Sequence, residues 1–298
     1  MATVVRDKTE LHLLPRTAWL PLATLPVVAA VAGAGWRPWL LMWSLAGTIY
    51  FGLKWLSFAD CREAPQASRG RRLGYLLLWP GMDANAFFGR PIAARTRPTN
   101  WLLAAAKMFT GLALAAWAAT QASLDSLAVG WIGMSGIVLA LHFGLFHLLA
   151  LAWQSRGVAA RPLMNAPLLA SSLADFWGRR WNLAFRDLAH AYVFQPFAQA
   201  WGATAATLAA FLASGVIHDV VISGPARAGW GMPTLYFLLQ GCALLVEHSA
   251  LGKRLGLARG VIGRVFVAVV IVAPLGLLFH GPFVERVVRP MLSDFAMR

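Results

Sequence analysis

The chain has 298 residues, 59% of them hydrophobic and 13% charged, with a mean hydropathy of +0.62, which excludes a water-soluble enzyme of this length. The formal net charge of +14 is typical of nucleic-acid-binding proteins, but the basic residues lie between apolar runs instead of forming one patch. No nucleic-acid partner is therefore expected, and the lipid bilayer is the expected environment.

Seven apolar windows are long enough for a helix to cross about 30 Å of hydrocarbon. In chain order they are residues 17–35, 36–58, 101–121, 127–153, 203–222, 232–251 and 261–283. They predict an all-α, polytopic integral membrane protein with about seven transmembrane helices, up to eight or nine, plus interfacial or re-entrant helices, in a single membrane domain over residues 1–298. The first window is expected to stay as a span, because its apolar run is longer than the core of a signal peptide and a second span follows at once.

Basic residues predict how these spans are oriented. Cytoplasmic loops carry an excess of Lys and Arg, and alternate segments of the chain hold 19 and 5 of them. The richer set comprises the start of the chain and residues 59–100, 154–202 and 252–264. We therefore expect a cytoplasmic N-terminus, and this bias accounts for most of the positive charge.

Two of the predicted cytoplasmic segments are too long to be simple connectors. Residues 73–89 (LGYLLLWPGMDANAFFG) are broken by Pro80 and Gly81 and are too short to span, so we expect them in the membrane interface. Residues 163–202 mix Trp, Phe, Arg, Asp and Asn in a helical rhythm, which predicts a helix that lies on the membrane or dips into it.

The fifth predicted span contains the most informative polar residues. Thr207, Ser214 and His218 follow each other at i, i+7 and i+11 and so share one face of a helix. Gly215 lies one turn before His218 and leaves room for a ligand or for another helix. From this span alone, a titratable base at a functional site and a structural histidine bonded to a neighbouring helix are equally good interpretations.

A second polar face is predicted in the segment SSLADFWGRRWNLAFRDLAH. Asp175, Arg179, Asn182 and Arg186 are spaced i, i+4, i+7 and i+11 on one expected helix. Arginine holds phosphate through two hydrogen bonds and asparagine both donates and accepts, so this face suits a phosphorylated carrier. The alternative is an interfacial helix with basic and aromatic anchors, which composition alone favours.

Metal binding and transport have weaker support in the sequence. The two cysteines form no spaced pair, and His142 and His147 are five residues apart rather than four, so no metal site is expected. A small transporter or channel stays as the alternative function, although transport predicts two similar halves with broken helices and the sequence has none. Its proton or solute path would be lined by His142, His218, Glu247 and His248. For Glu247 itself, a structural role is favoured over catalysis.

Two motifs occur in a specific order. The segment DFWGRRWN ends in Trp181 and Asn182, and the helix segment ASGVIHD places His218 36 residues after Asn182. This order resembles the membrane-bound O-acyltransferases, in their wax-synthase-like branch, where a Trp-Asn or Trp-His pair precedes an apolar helix with Ser-Gly-x-x-His. Residues 235–247 (LYFLLQGCALLVE) and 77–83 (LLWPGMD) resemble further segments of that branch, so the resemblance covers roughly residues 75–250.

The resemblance implies acyl transfer from a thioester, usually acyl-CoA, to a hydroxyl of an alcohol or lipid acceptor within the membrane. It implies that His218 is the general base and that Asn182 is its partner residue. The chemistry agrees, because a base has to take the proton of the alcohol and neutral imidazole does so near pH 7. Asn182 is suited to orienting the donor or to stabilising the oxyanion. No permanently bound cofactor is implied.

The donor is expected on the cytoplasmic side, where acyl-CoA is found. Charge places its CoA part on the cationic segment around the Trp-Asn pair. The residues expected to bind it are Arg179, Arg180, Arg186 and Trp181. The branch often has His where this chain has Asn182, so the acceptor need not be a fatty alcohol.

Overall fold

A computed structural model describes residues 14–91, 96–121 and 126–296, and all regular secondary structure in these ranges is helical. Proline at the first or second position begins several helices, where its missing N–H costs no hydrogen bond. The main helices are α1 (Leu20–Ala32), α2 (Pro38–Ala59), α3 (Arg69–Leu78), α4 (Ala84–Phe88), α5 (Pro98–Thr120), α6 (Leu127–Gln154), α7 (173–180), α8 (Leu183–Ala226), α9 (Met232–His248), α10 (Ala250–Leu255), α11 (Gly260–Leu278) and α12 (281–296).

Four helices in the described part of the chain are long and apolar enough to cross a bilayer, namely α5, α6, α8 and α11. Their outer faces are apolar: Leu102 on α5 and Val261 on α11 are 75% and 74% exposed. Such surfaces require lipid rather than water around them, so the protein is an integral membrane protein. The windows predicted at 17–35, 36–58 and 232–251 coincide with α1, α2 and α9, and the count of seven spans stays a prediction. The start of the chain, whose cytoplasmic location was predicted, lies outside the described residues.

The segment 73–89 folds back against α2. Helix α3 and helix α4 begin at the capping side chains of Ser68 and Asp83. Gly81 lies between the two helices, and its carbonyl accepts a hydrogen bond from the buried Lys54 of α2. The Nζ atom of Lys54 also lies 3.4 Å from the centroid of the Tyr75 ring. An ammonium group with both a carbonyl and an aromatic face is compensated for its burial. These contacts attach the segment to the helical bundle.

The C-terminal helix α12 lies in the main apolar core. Its buried residues are Phe283, Val284, Val287, Val288, Met291 and Leu292. They pack with residues of α2, α5, α6, α8 and α9. The predicted window 261–283 is wrong at its end, because α11 ends at Leu278 and the side chain of His280 caps a new helix by accepting the Phe283 N–H at 3.2 Å.

The prediction of a single helix around the Trp-Asn motif is also wrong. Helix α7 ends at Arg180, Asn182 adopts a left-handed conformation (φ 37°, ψ 62°), and α8 begins at Leu183. The predicted polar face is therefore divided between two helices. Asparagine tolerates this backbone region better than most residues, because its short side chain bonds the local backbone.

Helix α8 begins 20 residues before the predicted window at 203–222. Gly202, with φ 81° and ψ 170°, interrupts its helical geometry just before that window. Glycine reaches this φ without the penalty that a side chain would bring. The helix also contains π turns at 190–194 and 219–223. The second π turn starts directly after His218, and π turns within α-helices often occur at functional sites.

Candidate active site

His218 is oriented by a bond to its own helix. Its Nδ1 atom lies 2.7 Å from the Ser214 carbonyl oxygen. Because a carbonyl only accepts, the ring nitrogen donates, and in the neutral imidazole Nε2 is left with its lone pair. The side chain is thus held in the tautomer that a general base requires at Nε2.

The rest of the predicted stripe on α8 serves helix packing. A Cβ on Gly215 would lie 2.6 Å from the Cα of Thr234, so the glycine allows α9 to approach closely. Thr207 donates its hydroxyl to the Ala203 carbonyl at 2.9 Å, within α8. Of the two uses predicted for the space at Gly215, the structure has the neighbouring helix.

Asp219, the residue after His218, fixes the start of α9. Its Oδ1 accepts the Gly231 N–H at 2.9 Å, and its Oδ2 accepts the Thr234 N–H at 3.0 Å and also the Thr234 hydroxyl. Ser223 donates to Oδ1 at 2.9 Å. A carboxylate suits the N-terminus of a helix, where backbone donors lack partners. Asp219 therefore holds the two helices together beside His218.

A series of ring contacts connects the Trp-Asn motif with His218. The rings of Trp181 and Phe176 stack with centroids 5.4 Å apart, and Phe176 contacts Trp177 at 5.0 Å. Trp177 meets Phe237 of α9 at 5.9 Å, and Phe237 meets His218 at 4.4 Å. We call these five residues the aromatic chain. It connects two motifs that are far apart in sequence through contacts between aromatic rings.

Asn182 lies at the junction of α7 and α8. Its Oδ1 accepts the Phe185 N–H at 3.3 Å, which caps α8. This engagement leaves the Nδ2 amide as the group that Asn182 can offer to a ligand. Trp181, its neighbour, is the first member of the aromatic chain.

Two of the predicted arginines share one carboxylate. Arg179 Nε lies 3.0 Å from Asp175 Oδ1, and Arg180 Nε lies 2.6 Å from Asp175 Oδ2. Burial acts to raise the pKa of the Asp175 carboxyl, but the Arg180 and Ser171 hydrogen bonds and both arginine charges outweigh it and hold the pKa below its ordinary value. The Arg179 side chain is nevertheless 75% exposed. The group therefore keeps one net positive charge, with Arg179 open to the surroundings.

Arg186 lies on the first turn of α8 and pairs with a neighbour. Its Nη2 is 3.0 Å from Asp187 Oδ1, and Arg161 also approaches Asp187, at 3.9 Å. Arg161 in turn donates to Asp83 at 2.9 Å. Asp83, Arg161 and Asp187 line a small pocket together with Trp79, Met82 and Leu183, whereas Arg186 is not among its lining residues. Leu183, the residue after Asn182, is one of its lining residues.

Glu247 caps α7 across the fold. Its two carboxylate oxygens accept the Leu173 N–H at 2.6 Å and the Ala174 N–H at 3.1 Å. The residue is 2% exposed, and His248 beside it is exposed and bonds the Leu244 carbonyl of its own helix at 2.9 Å. The structural role favoured for Glu247 matches this geometry.

The sequence did not predict that Trp177 and Phe237 belong to the candidate site, where Phe237 contacts both Trp177 and His218. Their signal was the crowding of aromatic residues in DFWGRRW and LYFLLQG, which does not specify which rings meet. In the described ranges, no three His, Cys, Asp or Glu side chains are grouped in a way that could hold a metal ion.

These features define a class of protein: a helical integral membrane protein in which a histidine is oriented among aromatic side chains and a cationic segment lies nearby in the sequence. Residues 160–239 match the model of the membrane bound O-acyl transferase family. This segment contains the Trp-Asn pair, the aromatic chain and His218. The resemblance to the wax-synthase-like branch of that family is confirmed.

Curated relatives carry names that agree with this family. A long-chain-alcohol O-fatty-acyltransferase of Simmondsia chinensis is 36% identical over 129 residues, covering 39% of this chain and 36% of the relative. A probable long-chain-alcohol O-fatty-acyltransferase 9 of Arabidopsis thaliana is 32% identical, covering 43% and 42%. An acyl-CoA–sterol O-acyltransferase 1 of Arabidopsis thaliana is 35% identical, covering 29% and 27%. The matches thus cover less than half the length of each of these relatives.

Proposed function

We propose that this protein transfers an acyl group from acyl-CoA to the hydroxyl of an alcohol or lipid acceptor, with His218 as the general base. The observation that carries the proposal is the bond from His218 Nδ1 to the Ser214 carbonyl, which leaves Nε2 as a proton acceptor. The names of the relatives support a hydroxyl acceptor, since they include a long-chain alcohol and a sterol.

The reaction follows from these positions. His218 Nε2 takes the proton of the acceptor hydroxyl as its oxygen attacks the thioester carbonyl carbon. A C–O bond forms, the carbonyl oxygen gains negative charge, and the C–S bond then breaks. The departing thiolate takes the proton from His218 and leaves as CoA thiol, so the base is regenerated. The Nδ2 amide of Asn182 orients the donor in this proposal. The reaction requires no permanently bound cofactor.

The donor is proposed to bind at the cytoplasmic end of α7 and α8. Arg179 is exposed, and the three arginines of the segment exceed their two carboxylate partners by one charge. Phosphate groups of CoA carry the complementary charge. Trp181 provides the apolar entry to the aromatic chain. This arrangement agrees with a cytoplasmic N-terminus and with one membrane domain over residues 1–298.

The transporter alternative has less support. Glu247 and Asp219, two buried acidic residues, each accept backbone N–H groups at a helix start. Groups engaged in this way are poorly placed to relay protons. His248 is exposed and bonds its own helix.

The test is thiol release from acyl-CoA by the purified protein, with a panel of fatty alcohols, sterols and glycerolipids. His218→Ala is expected to lower turnover by about 10²–10⁴-fold, the usual contribution of a general base, while the variant remains folded in detergent. Asn182→Ala is expected to have a larger effect on turnover than on insertion of the protein into the membrane.

His248→Ala is the matched control, because His248 makes the same bond to a carbonyl four residues earlier but lies exposed on α9. It is expected to behave as wild type. Normal turnover by folded His218→Ala would refute the mechanism, and absence of both acyl-CoA binding and thiol release in the wild type would move transport ahead.

A further inference from the structure

The indole N–H of Trp177 is enclosed in the protein but has no hydrogen-bond partner among the described residues. Buried tryptophan usually finds an acceptor for this group. A buried donor without one destabilises a fold, and in native structures it calls for a specific explanation. None of the described residues supplies an acceptor for this donor, which is therefore available to a bound molecule.

The position of Trp177 limits what that acceptor can be. The indole meets Phe211 at 5.5 Å and Phe237 at 5.9 Å. Phe237 contacts His218 at 4.4 Å, so the ring centroids of Trp177 and His218 are no more than about 10 Å apart. Phe211 precedes His218 by seven residues on α8, which places both on one helix face. Trp177 is thus separated from the base by one intervening ring, that of Phe237.

This upper limit is compatible with a reacting group held between the two rings. Two hydrogen bonds of about 3 Å each, joined through the attacked carbon and its two oxygen atoms, fit within that limit. The indole nitrogen donates and cannot accept, so it cannot take the proton of the alcohol. The complementary acceptor is the carbonyl oxygen, on which negative charge develops.

We propose that Trp177 Nε1–H donates a hydrogen bond to the carbonyl oxygen of the bound acyl thioester. The inference rests on the proposed acyl transfer. As the alcohol attacks, the carbonyl oxygen becomes an oxyanion and the bond from Trp177 strengthens, while the proton of the alcohol goes to His218. Trp177 itself neither gains nor loses a proton. Because it touches the reacting group, it is a catalytic residue alongside His218.

The experiment compares two unreactive analogues of acyl-CoA. In the ketone analogue, CH₂ replaces the sulfur and the carbonyl remains; in the thioether analogue, CH₂ replaces the carbonyl. Trp177→Phe is expected to weaken binding of the ketone by about 2–12-fold, the range for one buried hydrogen bond, and to leave binding of the thioether unchanged. Turnover with the true thioester is expected to fall further, by at least about 10-fold, because the bond strengthens in the transition state.

Trp131→Phe is the matched control, since Trp131 also meets a phenylalanine edge-on, at 5.8 Å, but this partner is Phe279, which is not part of the aromatic chain. It is expected to bind both analogues as wild type does. If Trp177→Phe folds poorly, replacement of Trp177 by benzothienylalanine keeps the ring shape and removes only the N–H, with the same expected result.

Two results would overturn the inference: equal weakening for both analogues, which is the signature of packing alone, or unchanged ketone binding together with unchanged turnover. Failure of the wild type to bind either analogue or to release thiol would instead refute the proposed function, on which the inference depends.

Discussion

Replacing Glu247 by glutamine tests whether the buried carboxylate is a cap or part of a transport path. The wild-type side chain accepts two backbone N–H groups at the start of α7, at 2.6 and 3.1 Å. In Glu247→Gln one oxygen still accepts, but the amide NH₂ faces the second N–H and leaves a buried donor unpaired.

The expected loss is about 1–3 kcal/mol for one unsatisfied buried group. At about 2–4 °C per kcal/mol for chains of a few hundred residues, the thermal midpoint in detergent should fall by several degrees. Because α7 carries Trp177, Arg179 and Arg180, thiol release should fall together with stability. Glu285→Gln, on an exposed residue of α12, is the control and should change neither quantity.

The measurement is a thermal unfolding curve of the purified variants, paired with thiol release from acyl-CoA. An unchanged midpoint for Glu247→Gln would refute the capping role. Loss of proton flux in vesicles with stability intact would assign Glu247 to a transport path instead.

Three further outcomes are expected. Gly215→Ala should lower the free energy of unfolding by about 1–3 kcal/mol, and the thermal midpoint with it, because the added Cβ would lie 2.6 Å from the backbone of α9. Gly47→Ala, with open space around it, should leave the midpoint unchanged; equal midpoints for the two variants would contradict this packing. The pKa of Asp175 is depressed in the fold, so its stabilising effect relative to Asp175→Asn should be constant above the unfolded pKa of about 4 and lost as pH falls through the lower folded pKa. A gap between the two unfolding midpoints that persists in strong acid would refute the ion pairs. Replacing Arg179 and Arg180 together by glutamine should raise KM for acyl-CoA, and the rise should be largest at low salt. If KM depends on neither the double substitution nor the salt concentration, the two arginines have a purely structural role.

Local pattern was sufficient for much of the fold. Apolar runs of about 20 residues can be satisfied in a bilayer only as helices, which is why the predicted windows coincide with helices. The Trp-Asn and Ser-Gly-x-x-His motifs likewise identified the segment that matches the acyltransferase family. The predicted helix boundaries near Asn182 and Leu278 were wrong. A helix ends where one residue adopts a non-helical backbone conformation, and such a change leaves no mark in the hydropathy of the sequence.

The sequence by itself determined that the chain is a helical membrane protein with an acyltransferase-like motif pair, because periodicity, length and spacing are properties of neighbouring residues. Only the tertiary structure decided which donors meet which acceptors. Glu247 accepts a hydrogen bond at the N-terminus of α7 from a residue 74 positions away in the sequence. Phe237 contacts both Trp177 and His218, and α12 packs in the apolar core. Burial forces each polar group to find a partner, but the identity of that partner depends on which helices pack together.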